Sequence, residues 1–289
     1  MLKSNIQKYP LISFVVINYL ITWIFLYPCY KLILNAEEGT FPPLALIGFI
    51  GAYGPTISAI IVEKITNGNR GIKELLKKLL VWKVHIKWYL FIFFIPILLY
   101  TVAVLTSKLF GFQLGQINLK DGLSSSFLFI LIALPFGPMG EELGWRGFFL
   151  PRLLQKYKIW KSSIIIGFVW TIWHLASFTF PGAAIPSIFE VNLWTLFLYL
   201  LTIIGESLLF TYLFLKTRFS VLIAILFHAV FNASSNIVLT IFPQVENIVE
   251  QREIIYIINF LLIALLSIVL LVRINKTYNN KKITTYNKM

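Results

Sequence analysis

The sequence is poor in the residues on which disulfide-stapled domains and many soluble enzymes depend. Its 289 residues include one cysteine, Cys29, one aspartate, Asp121, and three histidines, and only 13% of the chain is charged. A single cysteine excludes an internal disulfide framework and a cysteine-based zinc site. Three histidines leave very few candidates for histidine chemistry.

Apolar residues are abundant instead. They make up 58% of the chain, and the mean hydropathy is +0.81. A transmembrane helix needs about 20 predominantly apolar residues. Runs of this kind lie at 11–34, 41–62, 88–107, 123–150, 162–178, 193–215, 220–242 and 254–272. We therefore predict an all-α polytopic membrane helix bundle of about eight transmembrane helices, forming a single integral membrane domain over residues 1–289.

The net charge of +13 is explained by membrane topology and not by a nucleic-acid partner. With these spans, twenty Lys and Arg residues fall on the side of the two termini and four on the other side. Cytoplasmic loops carry such an excess, so we predict a multi-pass protein of the cell (plasma) membrane with both termini cytoplasmic. Apolar residues at helical spacing from Ile72 to Ile86, opposite lysines, also predict one interfacial amphipathic helix.

Ionisable residues within the apolar runs are the candidate site. Each costs about 2.5–3.5 kcal/mol to place at the centre of a membrane helix, so such residues commonly have a function. Counted from the basic residues at the cytoplasmic helix ends, several of them lie at a similar depth, which predicts one shared cavity open to the cytoplasm. The candidates are Glu141, Glu142, Arg146, His174, Glu206 and His228, with Asn232 as a polar companion.

Spacing within the helices groups these side chains further. Glu142 and Arg146 are four residues apart and can pair on one helix face, which leaves Glu141 directed towards another neighbour. The segment from Pro135 to Gly140, with two prolines, is expected to break the fourth span just before the charged residues. The same spacing of four joins Trp170 to His174 and His228 to Asn232, and small residues that allow close helix approach are Gly140, Gly144 and Gly147.

Three motifs in the region 123–240 resemble those of a known family. They are Glu141-Glu142-Leu-Gly-Trp-Arg146, Trp170-Thr-Ile-Trp-His174 and His228-Ala-Val-Phe-Asn232. These are similar to the EExxxR, FxxxH and HxxxN motifs of the CPBP intramembrane proteases, the group that contains the type II CAAX prenyl endopeptidases and the bacteriocin-immunity (Abi) proteins. Trp170 stands where the family commonly has Phe, and since both are large aromatics this difference does not weaken the resemblance.

The resemblance implies an intramembrane endopeptidase. Peptide hydrolysis needs an activated water and a group that stabilises the oxyanion. We expect Glu141 to be the general base, His174 and His228 to hold the water or a metal, and Asn232 to hold the water or the oxyanion. Glu142, Arg146 and Trp170 are expected to orient the site, and Glu206 could line it.

The metal requirement stays open at this point, because family members are described either as glutamate-dependent or as metalloproteases. Glu141, His174 and His228 could ligate Zn²⁺ and leave one position for water. In that arrangement the base would be another group, such as Glu142. No other cofactor is implied.

Other intramembrane protease classes are excluded by their motifs. No histidine is followed by a glutamate as in His-Glu-x-x-His, the aspartyl class needs two membrane aspartates, and Gly205-Glu-Ser207 is not followed by glycine. The expected partners are a peptide or lipid-modified protein substrate and membrane lipids. The alternative is a non-hydrolytic membrane protein, either a peptide-binding immunity protein or a proton-coupled transporter.

Overall fold

Helices make up most of the residues that the structure describes. The computed structural model describes residues 2–37, 40, 42–135, 137–178, 191–244 and 248–278. In these ranges the only β-type pairing is an isolated antiparallel bridge between Leu114 and Gln244. The all-α prediction is therefore confirmed. Three lysines that entered the topology prediction lie outside the described residues, namely Lys281, Lys282 and Lys288.

The helices follow the apolar runs of the sequence. In chain order they are α1 (Leu2–Lys8), α2 (Pro10–Leu34), α3 (Gly48–Ala52), α4 (Gly54–Lys77), α5 (Ile86–Ser107), α6 (Leu119–Ala133), α7 (Pro138–Glu142), α8 (Leu150–Lys156), α9 (Ile159–Phe178), α10 (Leu193–Lys216), α11 (Val221–Ile241) and α12 (Ile248–Tyr278). A π-helix, Leu143–Phe149, joins α7 to α8. Short 3₁₀ turns occupy Pro43–Ile47, Lys78–Leu80 and Lys108–Phe110.

Within the described residues, six helices are long and apolar enough to cross a membrane without interruption. They are α2, α5, α9, α10, α11 and α12, the first with its Pro28 and the second with its Pro96 inside the helix. Two further pairs of helices satisfy the same test together but are bent at a break. The count reaches the predicted eight if each bent pair forms one span.

The first bent pair corrects the prediction of a continuous second span. It turns by 52° between α3 and α4, at Tyr53. The following amphipathic stretch is also shorter than predicted, because helical structure ends at Leu80 and Ile86 already begins α5. Its face is not wholly interfacial either, since Leu75 is buried in the protein core. Sequence periodicity continued across residues 81–85, where the backbone is not helical.

The second bent pair confirms the predicted break in the fourth span. Helix α6 ends at Ala133, and α7 begins at Pro138 after a turn, so that the pair bends by 41°. Proline has no N–H to donate and disfavours helical structure in the residue before it. At the first turn of a helix this is no disadvantage, and Pro138 accordingly starts α7.

Two glycines let the second bent pair pack directly on the backbone of the first bent pair. A Cβ at Gly140 would lie 2.6 Å from the carbonyl oxygen of Ala52, and a Cβ at Gly144 would lie 2.5 Å from the carbonyl group of Pro55. Any larger residue would therefore separate the helices. The two breaks meet here, which places the acidic motif against the α3–α4 junction.

Candidate active site

The acidic motif lies on an unusual piece of helix. Glu141 and Glu142 end α7, and Arg146 is in the middle of the seven-residue π-helix. π-Helical turns are rare, and they occur frequently at functional sites. All of the residues from Gly140 to Leu150 are buried. The segment thus carries three ionisable side chains into the interior.

Glu142 connects two of the three motifs. Its Oε1 accepts hydrogen bonds from Nη1 of Arg146 and Nδ1 of His228, both at 2.8 Å. The side chains of Glu142 and Arg146 are completely buried, and His228 is nearly so. A buried charge is tolerated when it is paired and hydrogen-bonded. The Glu142–Arg146 pair expected from the spacing is thus present, and its carboxylate also orients a histidine.

Aromatic rings enclose the Arg146 guanidinium. Its central carbon lies 4.5 Å from the ring centroid of Trp170 and 4.0 Å from that of Phe210. A guanidinium this close to aromatic rings gains cation–π attraction, most where water is excluded. The arrangement links the π-helix to α9 and α10 at once.

Glu141 has different partners. Its Oε2 accepts hydrogen bonds from the indole N–H groups of Trp145, at 3.2 Å, and of Trp170, at 2.6 Å. Glu141 is only 3% exposed. A phenyl ring has no N–H, so the Trp170 that stands in place of the common Phe provides a bond that Phe could not.

His174 lies beside this cluster without a hydrogen bond to either glutamate among the contacts described. Its Nδ1 is 2.9 Å from the carbonyl oxygen of Trp170. Because a carbonyl can only accept, Nδ1 carries the hydrogen, and Nε2 of the neutral ring is an acceptor. The ring packs edge-on against Trp173 and Tyr199, with centroids 4.7 and 5.8 Å away.

Asn232 and Glu206 complete the group. The point where a Cβ on Gly137 would lie is 3.1 Å from Oε1 of Glu141 and 3.8 Å from Nδ2 of Asn232, so both side chains border the same small space. Asn232 is the exposed member of the cluster. Glu206, which is partly exposed, is near enough to Arg146 for electrostatic attraction.

Residues 123–234 match the family described as type II CAAX prenyl endopeptidase, Rce1-like. This match covers the region that carries the three motifs. A curated protein of Methanococcus maripaludis, CAAX prenyl protease 2, is 27% identical to this chain over 238 residues, which cover 81% of the chain and 85% of that protein. These findings confirm the family resemblance predicted from the three motifs.

The matched region contains every candidate site residue named from the sequence. Hydrogen bonds join Glu142 to Arg146 and His228, and Glu141 to Trp170, while the others lie alongside. Sequence reasoning missed Trp145. It is four residues after Glu141, the spacing that identified the Glu142–Arg146 pair, and the same rule applied to an indole donor would have found it.

The residues of the site do not fit a zinc centre in this arrangement. Among the described residues, no three His, Cys, Asp or Glu side chains are placed to hold a metal ion. Oε2 of Glu141 is occupied by two indole donors, and Nδ1 of His228 faces the Glu142 carboxylate. A metal at Glu141, His174 and His228 would require these side chains to move.

Proposed function

We propose that the protein is a membrane-embedded endopeptidase that hydrolyses a peptide bond with a water activated by Glu141. The observation that carries the proposal is that residues of all three motifs lie around the buried Glu141 carboxylate. The match to the type II CAAX prenyl endopeptidase family supports the same reaction class.

The proposed substrate is a peptide or protein with an isoprenoid on a cysteine near its C-terminus. The name of the Methanococcus relative, a CAAX prenyl protease, supports this class. The setting of the site agrees with it, because a lipid-modified peptide partitions into the membrane in which the helices lie. The polar groups that such a peptide would meet first are the exposed Asn232 and the partly exposed His174.

The chemistry follows from the free atoms of the cluster. Oε1 of Glu141 accepts a proton from water, and the oxygen of that water attacks the carbonyl carbon of the scissile bond. Nε2 of His174 or His228 accepts a hydrogen bond from the second hydrogen of the same water. Nδ2 of Asn232 donates to the oxyanion, which such a donor stabilises most in a site that excludes bulk water.

Collapse of the tetrahedral intermediate breaks the C–N bond. The proton held by Glu141 passes to the departing amine, and the carboxylate is regenerated. His228 keeps its orientation throughout, because the buried Glu142 carboxylate fixes its Nδ1. Arg146 in turn keeps Glu142 in place.

Substitution of Glu141 by Gln tests the proposal. In detergent, Glu141→Gln should abolish cleavage of an internally quenched, farnesylated peptide that ends in a Cys-aliphatic-aliphatic-X sequence, because an amide cannot accept the proton. Binding of the same peptide should persist. Glu74→Gln, at an exposed carboxylate on α4, is the matched control and should cleave normally. Turnover by Glu141→Gln would refute the mechanism, and binding without cleavage by the unaltered protein would favour a peptide-binding immunity function.

We further propose that both termini and the lysine-rich segment from Lys73 to Lys87, which runs from the end of α4 into the start of α5, face the cytoplasm, with the site open to that side. The charge bias of the loops supports this orientation. In a Cys29→Ser background, a cysteine at Lys83 should react with an impermeant maleimide only in inside-out vesicles. A cysteine at Leu109, on the other side, should react only in right-side-out vesicles. The reverse pattern would contradict the orientation.

A further inference from the structure

The two oxygens of Glu141 lie in unequal surroundings. Oε2 receives both indole hydrogen bonds, from Trp145 and Trp170. Oε1 faces the space beside Gly137, which the amide of Asn232 also borders. One oxygen is thus held by the protein, and the other is directed to the place where a substrate would meet the motif residues.

A carboxylate oxygen has two lone pairs in its plane, and two donors use both of them. We infer that Trp145 and Trp170 form an indole clamp on Oε2, which makes Oε1 the oxygen that takes the proton from water. The inference rests on the proposed function and deepens it. The two tryptophans are positioning residues, since they act on the reaction through Glu141.

The clamp is held rigidly from both sides. Trp170 packs edge-on against Phe210 and His228, with ring centroids 5.8 and 5.4 Å apart. Trp145 packs edge-on against Phe14, at 5.4 Å. Both indoles are almost completely buried, and close-packed rings in an interior have little freedom to rotate. The N–H groups therefore stay directed at the carboxylate.

The clamp also joins two helical segments. Trp145 belongs to the π-helix, four residues after Glu141, whereas Trp170 belongs to α9. The position of the Glu141 carboxylate is thus fixed relative to the helix that carries His174. Small displacements of a reacting group cost large factors in rate, so the bond from Trp170 should bear on turnover more than on substrate binding.

Replacement of the donors by phenyl rings tests the clamp. For Trp170→Phe and for Trp145→Phe we expect kcat towards the quenched farnesylated peptide to fall about tenfold, as for loss of a hydrogen bond to a charged group. KM should change by less than about twofold, since neither indole is proposed to touch the peptide. The control is Trp23→Phe, which loses an indole bond to the carbonyl of Trp173 and should keep the kinetic constants of the unaltered protein.

Indole resonances give a readout that a purely structural role would not affect. The protein has eight tryptophans, and ¹⁵N labelling yields one N–H signal for each, assigned by single Trp→Phe changes. Glu141→Gln should displace the signals of Trp145 and Trp170 the most, because their acceptor loses its charge. The signal of Trp23 should not move.

The outcomes separate the clamp from the proposed function. If Trp170→Phe keeps full kcat, or if Glu141→Gln leaves both indole signals in place, the clamp is refuted even though Glu141→Gln is inactive. If Glu141→Gln still cleaves the peptide, the proposed function fails. If Trp170→Phe does not fold, the indole signals of the unaltered protein and of Glu141→Gln decide the matter.

Discussion

Three ion pairs of this protein differ in burial. We predict that breaking a pair lowers the free energy of unfolding more, the more deeply the pair is buried. The side chains of Arg146 and Glu142 are both 0% exposed. Those of Arg152 and Glu63 are 19% and 8% exposed, and those of Lys77 and Glu74 are 52% and 45% exposed. The pairs have similar N–O distances, between 2.6 and 2.8 Å. Distance alone would therefore predict equal effects.

The perturbation is replacement of each cation by methionine. Arg146→Met removes the guanidinium from between Trp170 and Phe210 and leaves the buried Glu142 carboxylate with His228 alone. Breaking a fully buried pair in this way costs about 3–5 kcal/mol. For Arg152→Met we expect a smaller loss of stability, because water reaches that pair. For Lys77→Met we expect no measurable change, since exposed pairs contribute little.

The assay is reversible unfolding of each variant in mixed detergent micelles as the fraction of denaturing detergent rises, followed by tryptophan fluorescence. Methionine fills much of the space of arginine without a charge. In the double variant Glu142→Gln/Arg146→Met the unpaired charge of Glu142 is removed as well, so this variant should recover part of the stability that Arg146→Met loses. The reasoning is refuted if Arg146→Met unfolds at the midpoint of the unaltered protein. It is equally refuted if Lys77→Met costs as much as Arg146→Met.

Three further results are expected. Gly144→Ala should lose about 1–3 kcal/mol of stability by overpacking, because its Cβ would meet the Pro55 backbone. Gly147→Ala, whose Cβ would meet only side-chain methyl groups, should be nearly neutral in the same unfolding assay. Equal unfolding midpoints for the two variants would contradict this prediction. Asn232→Ala should lower kcat about a hundredfold or more, as for loss of an oxyanion donor. Asn236→Ala, at an exposed position one turn along α11, should keep the kcat of the unaltered protein. Unchanged turnover by Asn232→Ala would show that the amide has no part in the mechanism. Turnover should survive dialysis against a chelator, and a metal found at one equivalent that is lost with His174→Ala would contradict the metal-free chemistry proposed above.

Contacts within one helix could be predicted well from the sequence. Glu142 and Arg146 are four residues apart, and that spacing brings their side chains together on a helix whatever surrounds it. The break between α6 and α7 follows just as locally, from the missing N–H of the prolines. The number of spans could also be predicted, because bilayer thickness sets the length of the apolar run that each span needs.

Contacts between helices could not be predicted in this way. The sequence indicated that four polar residues lie at one depth, but it did not indicate how each helix is rotated about its axis. That rotation decides that His228 contacts Glu142 and that Trp170 contacts Glu141. The π-helix changes the rotation further, and no spacing rule foresaw it. The break at Tyr53 was missed as well, although Gly54 and Pro55 follow it, because glycine and proline are tolerated inside membrane helices and do not by themselves mark a break.

The sequence by itself thus determined that the protein is an α-helical membrane protein with a small set of buried ionisable residues in motifs of a protease family. Apolar length and charge bias are properties of segments, and each segment carries them alone. The tertiary structure decided which oxygen of Glu141 is held and which is open. That depends on two indoles from different segments, Trp145 of the π-helix and Trp170 of α9, and their meeting at one carboxylate is a result of helix packing that neither segment specifies alone.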